Sequence, residues 1–86
     1  MPEISRFYGI VIQMYFGDHL PPHFHARYAG DQAKIDIDAL AVIDGKLPAR
    51  ALGLVIEWAA LHQQELREAF DRAANLQSPG KVEPLA

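Results

Sequence analysis

Three of the four histidines in this chain of 86 residues lie between His19 and His25, in a short segment that also contains Pro21 and Pro22. Imidazole is the side chain whose charge changes near neutral pH, and it is also the commonest metal ligand in proteins. The two prolines fix two backbone φ angles and so restrict the segment. Stiffly positioned titratable groups are typical of a functional site, which makes this segment the first candidate.

One interpretation of the segment is a non-enzymatic binding module whose histidine cluster holds a divalent metal or an anion. Alternate residues of a strand point to the same side, so His23 and His25 would present both imidazoles together. His19, from the proline loop, is the third predicted ligand, and a carboxylate could also contribute. Against a cation stand the positive charges of Arg27 and Lys34 beside the cluster.

A second interpretation is acid–base cleavage of RNA without a metal. One histidine would take the proton of the 2′-OH, and another would protonate the leaving oxygen. Arg27 and Lys34 would stabilise the charge on the phosphorane, and Asp36 and Asp38 would orient the imidazoles. The predicted catalytic residues are therefore His23, His25, Arg27 and Asp36, and the predicted binding residues are His19, Lys34, Asp38 and His62.

The third interpretation is a solvated sheet face whose histidines are structural, within a protein that only binds other proteins.

The sequence predicts that an antiparallel hairpin positions these side chains. Residues 23–29 and 32–38 alternate between apolar and polar, and Gly30-Asp31 suits a two-residue turn between them. That turn would pair Ala26 with Ile35, His25 with Asp36 and His23 with Asp38. The polar face is expected to be open, so substituting His23 or His25 should remove function at little cost in stability.

The rest of the chain completes an α+β pattern. Residues 8–16 alternate as a first strand, residues 40–43 form a short fourth strand, and a helix runs from Pro48 to about residue 75. We therefore predict an antiparallel sheet of three or four strands with one long C-terminal helix packed on one face. Residues 1–80 form a single domain in this interpretation, and residues 81–86 form a tail.

A second apolar ridge on the predicted helix indicates association. Leu54, Trp58 and Leu61 lie beside the stripe that would cover the sheet, so we expect them to contact a second copy in a homodimer or another protein. A chain this small buries only about 60% of its unfolded surface, so a partner would help to stabilise it.

Composition restricts the class of protein. The formal net charge is −3 and there is no cysteine, which argues against a generally basic nucleic-acid surface and excludes disulfides and thiol catalysis. No apolar stretch approaches the roughly 20 residues needed to cross a bilayer, and the first residues lack the apolar core of a signal peptide. We therefore expect a cytoplasmic protein without a membrane partner.

Three segments together resemble a known family. They are Ile4–Ile10, Asp18–Ala26, and Leu47–Leu52 with its continuation Glu57–His62. The chain looks like a member of the small bacterial family called domain of unknown function 4160, and the His-Leu-Pro-Pro-His-Phe-His run is the specific part of the match. The resemblance implies a toxin-like member of a toxin–antitoxin pair, with a small antitoxin-like partner of the domain of unknown function 2442 family. It supplies no catalytic residues.

Overall fold

The computed structural model describes residues 2–86, which form a five-stranded antiparallel sheet and two helices. The sheet is a meander in which each strand pairs with the next one along the chain. Its strands are β1 (Glu3–Phe7), β2 (Ile10–Gln13), β3 (His23–Tyr28), β4 (Asp31–Asp36) and β5 (Ala41–Gly45). The predicted α+β class with an antiparallel sheet is confirmed, whereas the prediction of three or four strands is wrong.

The first predicted strand, residues 8–16, begins in a hairpin turn and contains only β2, whereas the preceding strand β1 was not predicted. Phe7 pairs with Ile10, so Tyr8 and Gly9 are the two central residues of a tight turn, with φ angles of 50° and 80°. Positive φ at both central positions is what such a hairpin turn requires. The apolar alternation runs from this turn through β2 into the loop that follows, which is why residues 8–16 resemble one strand in the sequence.

The β3–β4 hairpin is confirmed, but its register differs from the predicted one. The turn is formed by Ala29 and Gly30, so His25 pairs with Lys34 and His23 pairs with Asp36. The predicted pairs of His25 with Asp36 and of His23 with Asp38 are therefore wrong. Each β3 residue pairs two positions earlier on β4 than predicted, and because side chains alternate with a period of two, both registers place the same residues on each face.

The C-terminal region forms two helices instead of one. These are α1 (Ala49–Leu61) and α2 (Gln63–Ala74), and His62 separates them with φ −128° and ψ 23°. The His62 N–H donates to the Ala59 carbonyl, three residues back, so the α-helical pattern is interrupted there. Neither helix in residues 2–86 is long and apolar enough to cross a membrane.

Trp58 lies at the centre of the core between the sheet and the helices. Its ring contacts Phe7 and Phe24, and it is completely buried. Leu61 is 69% exposed, whereas Leu54 is partly buried. The three residues therefore do not form the exposed ridge that the sequence predicted, because the indole points into the chain's own core.

The last residues of the chain lie against the fold without forming a helix or strand. The Val82 N–H donates to the Ile4 carbonyl of the edge strand β1 at 2.8 Å, and Val82 is buried. The indole N–H of Trp58 donates to the Glu83 carbonyl at 2.7 Å. This segment, residues 81–86, thus connects the outer edge of β1 to α1.

Candidate metal centre

The loop between β2 and β3, residues 14–22, lies over the start of β3 and against α2. The Gly17 N–H donates to the Ala73 carbonyl of α2 at 2.9 Å, and Gly17 adopts a positive φ of 70°. At the other end of the loop, the Pro22 carbonyl accepts from the N–H of Ile37 at 3.0 Å. The loop is therefore attached to α2 at one end and to the residue that follows β4 at the other, and Asp18 lies between these two attachments.

Asp18, His23 and His25 converge on one point beneath this loop. The Oδ2 atom of Asp18 lies 2.8 Å from Nε2 of His23 and 3.4 Å from Nε2 of His25. The three candidate ligand atoms all lie within 4.8 Å of one another. We call these three residues the Asp–His–His cluster.

The surroundings of His23 determine how its ring can be used. Its Nδ1 atom lies 2.7 Å from the Pro21 carbonyl oxygen, which only accepts hydrogen bonds, so Nδ1 carries a proton and donates. A neutral imidazole has one N–H, so Nε2 then presents a lone pair to the Asp18 carboxylate 2.8 Å away. Two acceptors at this distance repel each other unless a proton or a metal ion lies between them.

His25 is held as a neutral imidazole. Its ring stacks on Tyr15 with centroids 3.9 Å apart and an interplanar angle of 7°. Burial lowers the pKa of His25 below its ordinary value of 6.5; the hydrogen bond with Asp18 opposes this shift, and the nearby His23 and Lys34 reinforce it. Because a metal binds the unprotonated nitrogen, this environment favours the form of His25 that acts as a ligand.

Asp18 supplies the negative charge of the cluster. Burial raises the pKa of this carboxyl, but the backbone N–H of His19 and the two imidazoles together bring it below its ordinary value of 3.8. The His19 N–H donates to Oδ1 at 3.0 Å, which leaves Oδ2 directed at the histidines. The carboxylate is therefore ionised at neutral pH and oriented by the backbone N–H of the next residue, His19.

The structure corrects the predicted surroundings of the two histidines. The face opposite the helices was expected to be open, yet His23 is only 3% exposed and His25 only 8% exposed. The loop of residues 14–22 covers them, and the ring of His23 also contacts Phe70 of α2, with centroids 5.5 Å apart. The loop was predicted to be stiff, but the pattern gave no indication that it would fold back over β3.

His19 lies outside the cluster that it was expected to join. Its side chain is exposed, and only its backbone N–H contacts Asp18. Asp18, which sequence reasoning passed over, takes the third position instead. The signal that could have identified it is a carboxylate in the same proline-stiffened segment as the histidines, directly before His19.

Two of the predicted aspartates serve the fold in this structure. Oδ1 of Asp36 accepts from the N–H groups of Asp38 and Ala39 at 2.8 and 2.9 Å, so it caps the turn after β4. Asp38 is exposed and forms a salt bridge with Arg67 of α2. Neither carboxylate contacts an imidazole of the cluster, because each one bonds to the turn or to the helix.

The remaining predicted residues divide between the sheet face and the helix junction. Lys34 lies directly opposite His25, and Arg27 is two residues beyond His25 on the same face of β3. His62 lies between the helices, where its Nδ1 is 2.8 Å from a carboxylate oxygen of Glu65. His62 is thus not brought into the cluster, whereas Lys34 and Arg27 flank it.

Comparison with known proteins identifies the family. A family model described as "Domain of unknown function (DUF4160)" matches residues 9–71. The chain belongs to this family. The matched range contains all three residues of the Asp–His–His cluster, so the cluster lies within the part of the chain that defines a DUF4160 domain. No curated protein and no solved structure shows a significant match to the chain.

Proposed function

We propose that this DUF4160 protein binds a divalent metal ion through Asp18, His23 and His25. The proposal rests on the orientation of the His23 ring. Its Nδ1 donates a hydrogen bond to the Pro21 carbonyl, and its Nε2 faces the Asp18 carboxylate. Metal-binding histidines very often donate their second N–H to a backbone carbonyl in this way, which fixes the tautomer and the ring orientation. In the metal-bound protein, the ion would lie between Nε2 of His23 and Oδ2 of Asp18, in place of the proton that this close contact otherwise requires.

The donor set agrees with a transition metal of the zinc type. Two imidazole nitrogens and one carboxylate oxygen are the ligands of many zinc and iron(II) sites that leave further positions open. Tetrahedral zinc, with bonds of about 2.0–2.1 Å, holds adjacent ligand atoms about 3.3 Å apart. The distances of 2.8 and 3.4 Å from Asp18 to the two histidines are close to this spacing. All three ligand atoms lie within 4.8 Å of one another, so small movements of the side chains would bring them around one ion.

Metal titration of the chelator-treated protein tests the proposal. We expect a stoichiometry of one ion per chain, and a loss of affinity of about 100-fold or more in His23→Ala, His25→Ala and Asp18→Asn. His19→Ala is the matched control, because it removes an exposed imidazole from the same loop and should keep the wild-type affinity. Equal weakening by His19→Ala, or tight binding that survives His25→Ala, would contradict the proposed ligand set.

A toxin-like role, with or without action on RNA, is a second proposal, and it rests on what the resemblance to the DUF4160 family implies. The histidines are less suited to metal-free RNA cleavage, because the Nε2 atoms of both face Asp18 under the loop. Expression of the chain alone should arrest growth, and coexpression of the product of the adjacent gene should restore it. Growth arrest that persists in Asp18→Asn would separate toxicity from the metal site, and normal growth of the wild type would contradict the toxin proposal.

We also propose that the chain binds an antitoxin-like partner protein or forms a homodimer, and the coexpression experiment can test both. An antitoxin-like partner should copurify with the chain, and size-exclusion chromatography with light scattering would distinguish that complex from a homodimer. A chain that remains monomeric and unpartnered would contradict both associations.

A further inference from the structure

A row of polar residues crosses the sheet beside the Asp–His–His cluster. The strand registers place Gln13, His25, Lys34 and Asp44 directly opposite one another on four successive strands. Their chain neighbours Ile12, Ala26 and Ala33 are buried. Since side chains of a strand alternate between its faces, the polar row lies on the face opposite the helices. The cluster is therefore continuous with a polar surface that could hold a ligand of the metal.

Two cations of this surface are available to such a ligand. Lys34 lies across from His25, and Arg27 lies farther along β3 on the same face. Within residues 2–86 neither of them forms a salt bridge, whereas Arg6, which lies on the same face, is paired with Glu3. Positive side chains next to a metal site oppose a second cation and favour an anion.

Gln13 gives an independent indication that a hydrogen-bond donor from outside the chain binds to this face. Its side-chain Oε1 is buried and has no hydrogen-bond partner among residues 2–86. Gln13 lies directly opposite His25, so their Cβ atoms are about 5 Å apart. A buried acceptor without a partner is costly, and a donor from outside the chain, such as a water molecule on the metal or the ligand, would satisfy it.

The size of the recess beside His25 restricts the ligand. A cavity of about 90 Å³ is lined by His25, Lys34 and Asp44, together with Gln32, Ala33 and Gly45. The cavity has room for a group of a few heavy atoms, such as a phosphate. Asp44 brings a negative charge to this cavity, although its Oδ1 accepts the Gly45 N–H.

We propose that the metal site takes a phosphate group as its ligand, with Lys34 binding the phosphate oxygens beside His25 and Arg27 adding positive charge farther along the same face. This inference rests on the proposed metal function and names the chemical class of ligand for that same site. Charge-assisted hydrogen bonds from ammonium and guanidinium groups to phosphate are among the stronger ones in proteins. A free phosphate compound and the backbone of RNA present the same chemistry, so the experiment must separate them.

Cobalt(II)-loaded protein provides the test, because the visible spectrum of the ion reports both its own binding and a change in its ligands. Inorganic phosphate is titrated in one arm, and a single-stranded RNA oligonucleotide in the other. We expect at least one of them to change the spectrum of the wild type, and Lys34→Ala to weaken that binding about tenfold or more without any loss of affinity for cobalt. Asp44→Asn should strengthen the binding, because it removes the opposing charge.

The matched control is Arg50→Ala, which removes one positive charge from exposed surface on helix α1, and it should leave phosphate binding unchanged. A response to RNA alone supports a nucleic-acid ligand, and a response to inorganic phosphate alone supports a small phosphate compound. This inference would be overturned if cobalt binds but neither phosphate nor RNA changes its spectrum, or if Lys34→Ala binds phosphate or RNA as tightly as the wild type does. Neither outcome would contradict the proposed metal site. Failure to bind cobalt would overturn the metal proposal and this inference with it.

Discussion

His23 combines three contacts that a surface histidine would not have. Its Nδ1 donates to the Pro21 carbonyl, its Nε2 faces the Asp18 carboxylate, and its ring packs against Phe70. The Leu20-Pro21-Pro22 sequence places that carbonyl two residues before the ring it binds. The short segment thus supplies both a candidate ligand and the group that orients it, which is the arrangement of a preorganised site.

These contacts lead to a prediction about stability at the level of one residue. His23→Ala should lower the free energy of unfolding of the metal-free protein by about 2–4 kcal/mol, because it leaves a cavity and unpaired polar groups at a buried position. Chemical denaturation of the chelator-treated protein measures this loss. The exposed control His19→Ala should remain within about 0.5 kcal/mol of the wild type. A small loss in His23→Ala, as the sequence analysis expected for an open face, would contradict the observed burial.

The pKa of His25 predicts how stability depends on pH. The pKa of His25 in the folded protein lies below 6.5. At a pH below 6.5 the unfolded chain therefore takes up a proton more readily than the folded chain does, and the free energy of unfolding decreases as the pH is lowered. The pKa of Asp18 is also lowered, so its stabilising contribution is present above about pH 3.8 and is lost as the pH falls further. Between pH 7.5 and 5 the loss in the metal-free protein should therefore include a contribution from His25.

Denaturation across this pH range tests that contribution. His25→Gln removes the titrating group and should flatten the dependence, whereas His19→Gln, at an exposed position, should keep the wild-type slope. Identical slopes in wild type and His25→Gln would show that His25 is not the group responsible.

The residues of the site could be predicted only in part. His23 and His25 were identified because their types and spacing are informative on their own. Asp18 was missed and His19 was chosen in its place, because which of two adjacent loop residues points inward depends on how the loop folds. The attachment of Gly17 to Ala73 determines that fold, and these two residues are far apart in the sequence.

At the scale of elements, β5 depends on one glycine. Gly45 has a φ of 74° and lies directly opposite Ala33, and a Cβ atom added there would collide with the backbone of Gln32. In the sequence, the Asp44-Gly45 pair is typical of a turn, because glycine usually marks one. In the structure Gly45 ends a strand at the point where two backbones approach closely, which is another use of glycine.

Two glycine substitutions test this assignment. Gly45→Ala should destabilise the protein by about 2 kcal/mol or more, because the conformation and the close approach both exclude a side chain. Gly30→Ala is the matched control, since an added Cβ would meet nothing within 4 Å and its φ is not in the left-handed region. Thermal melts should show a loss for the first variant and little change, or a slight gain, for the second. Equal melting temperatures would contradict the described β5.

The hairpin and helices show why register and breaks are harder to predict than element types. The predicted and observed registers of β3 and β4 place the same residues on each face, so the apolar pattern alone cannot separate them. Ala29 takes a positive φ of 54° in the turn, although the neighbouring Gly30 would adopt it at lower cost. Similarly, the apolar residues keep their helical spacing on both sides of His62, so this spacing does not indicate the break between α1 and α2.

At the scale of the whole molecule, the C-terminal segment completes the core. Val82 is buried beside β1, and the Glu83 carbonyl accepts the N–H of Trp58, the single tryptophan of the chain. This segment covers an edge strand that would otherwise present unpaired backbone groups. A chain of 86 residues has little core to spare, so a short covering segment contributes a sizeable share of its stability.

Removal of residues 82–86 should therefore expose the indole and weaken the fold. The variant loses the buried Val82 side chain and leaves the Trp58 N–H and the Ile4 carbonyl without these partners, which together cost about 2–4 kcal/mol. Tryptophan fluorescence should shift to longer wavelength, and the thermal transition should move to lower temperature. Glu83→Ala is the control, because Trp58 bonds to the backbone carbonyl, which that substitution retains. If the shortened chain keeps the emission and melting temperature of Glu83→Ala, the segment does not stabilise the core, and the fold must be held by the sheet and helices alone.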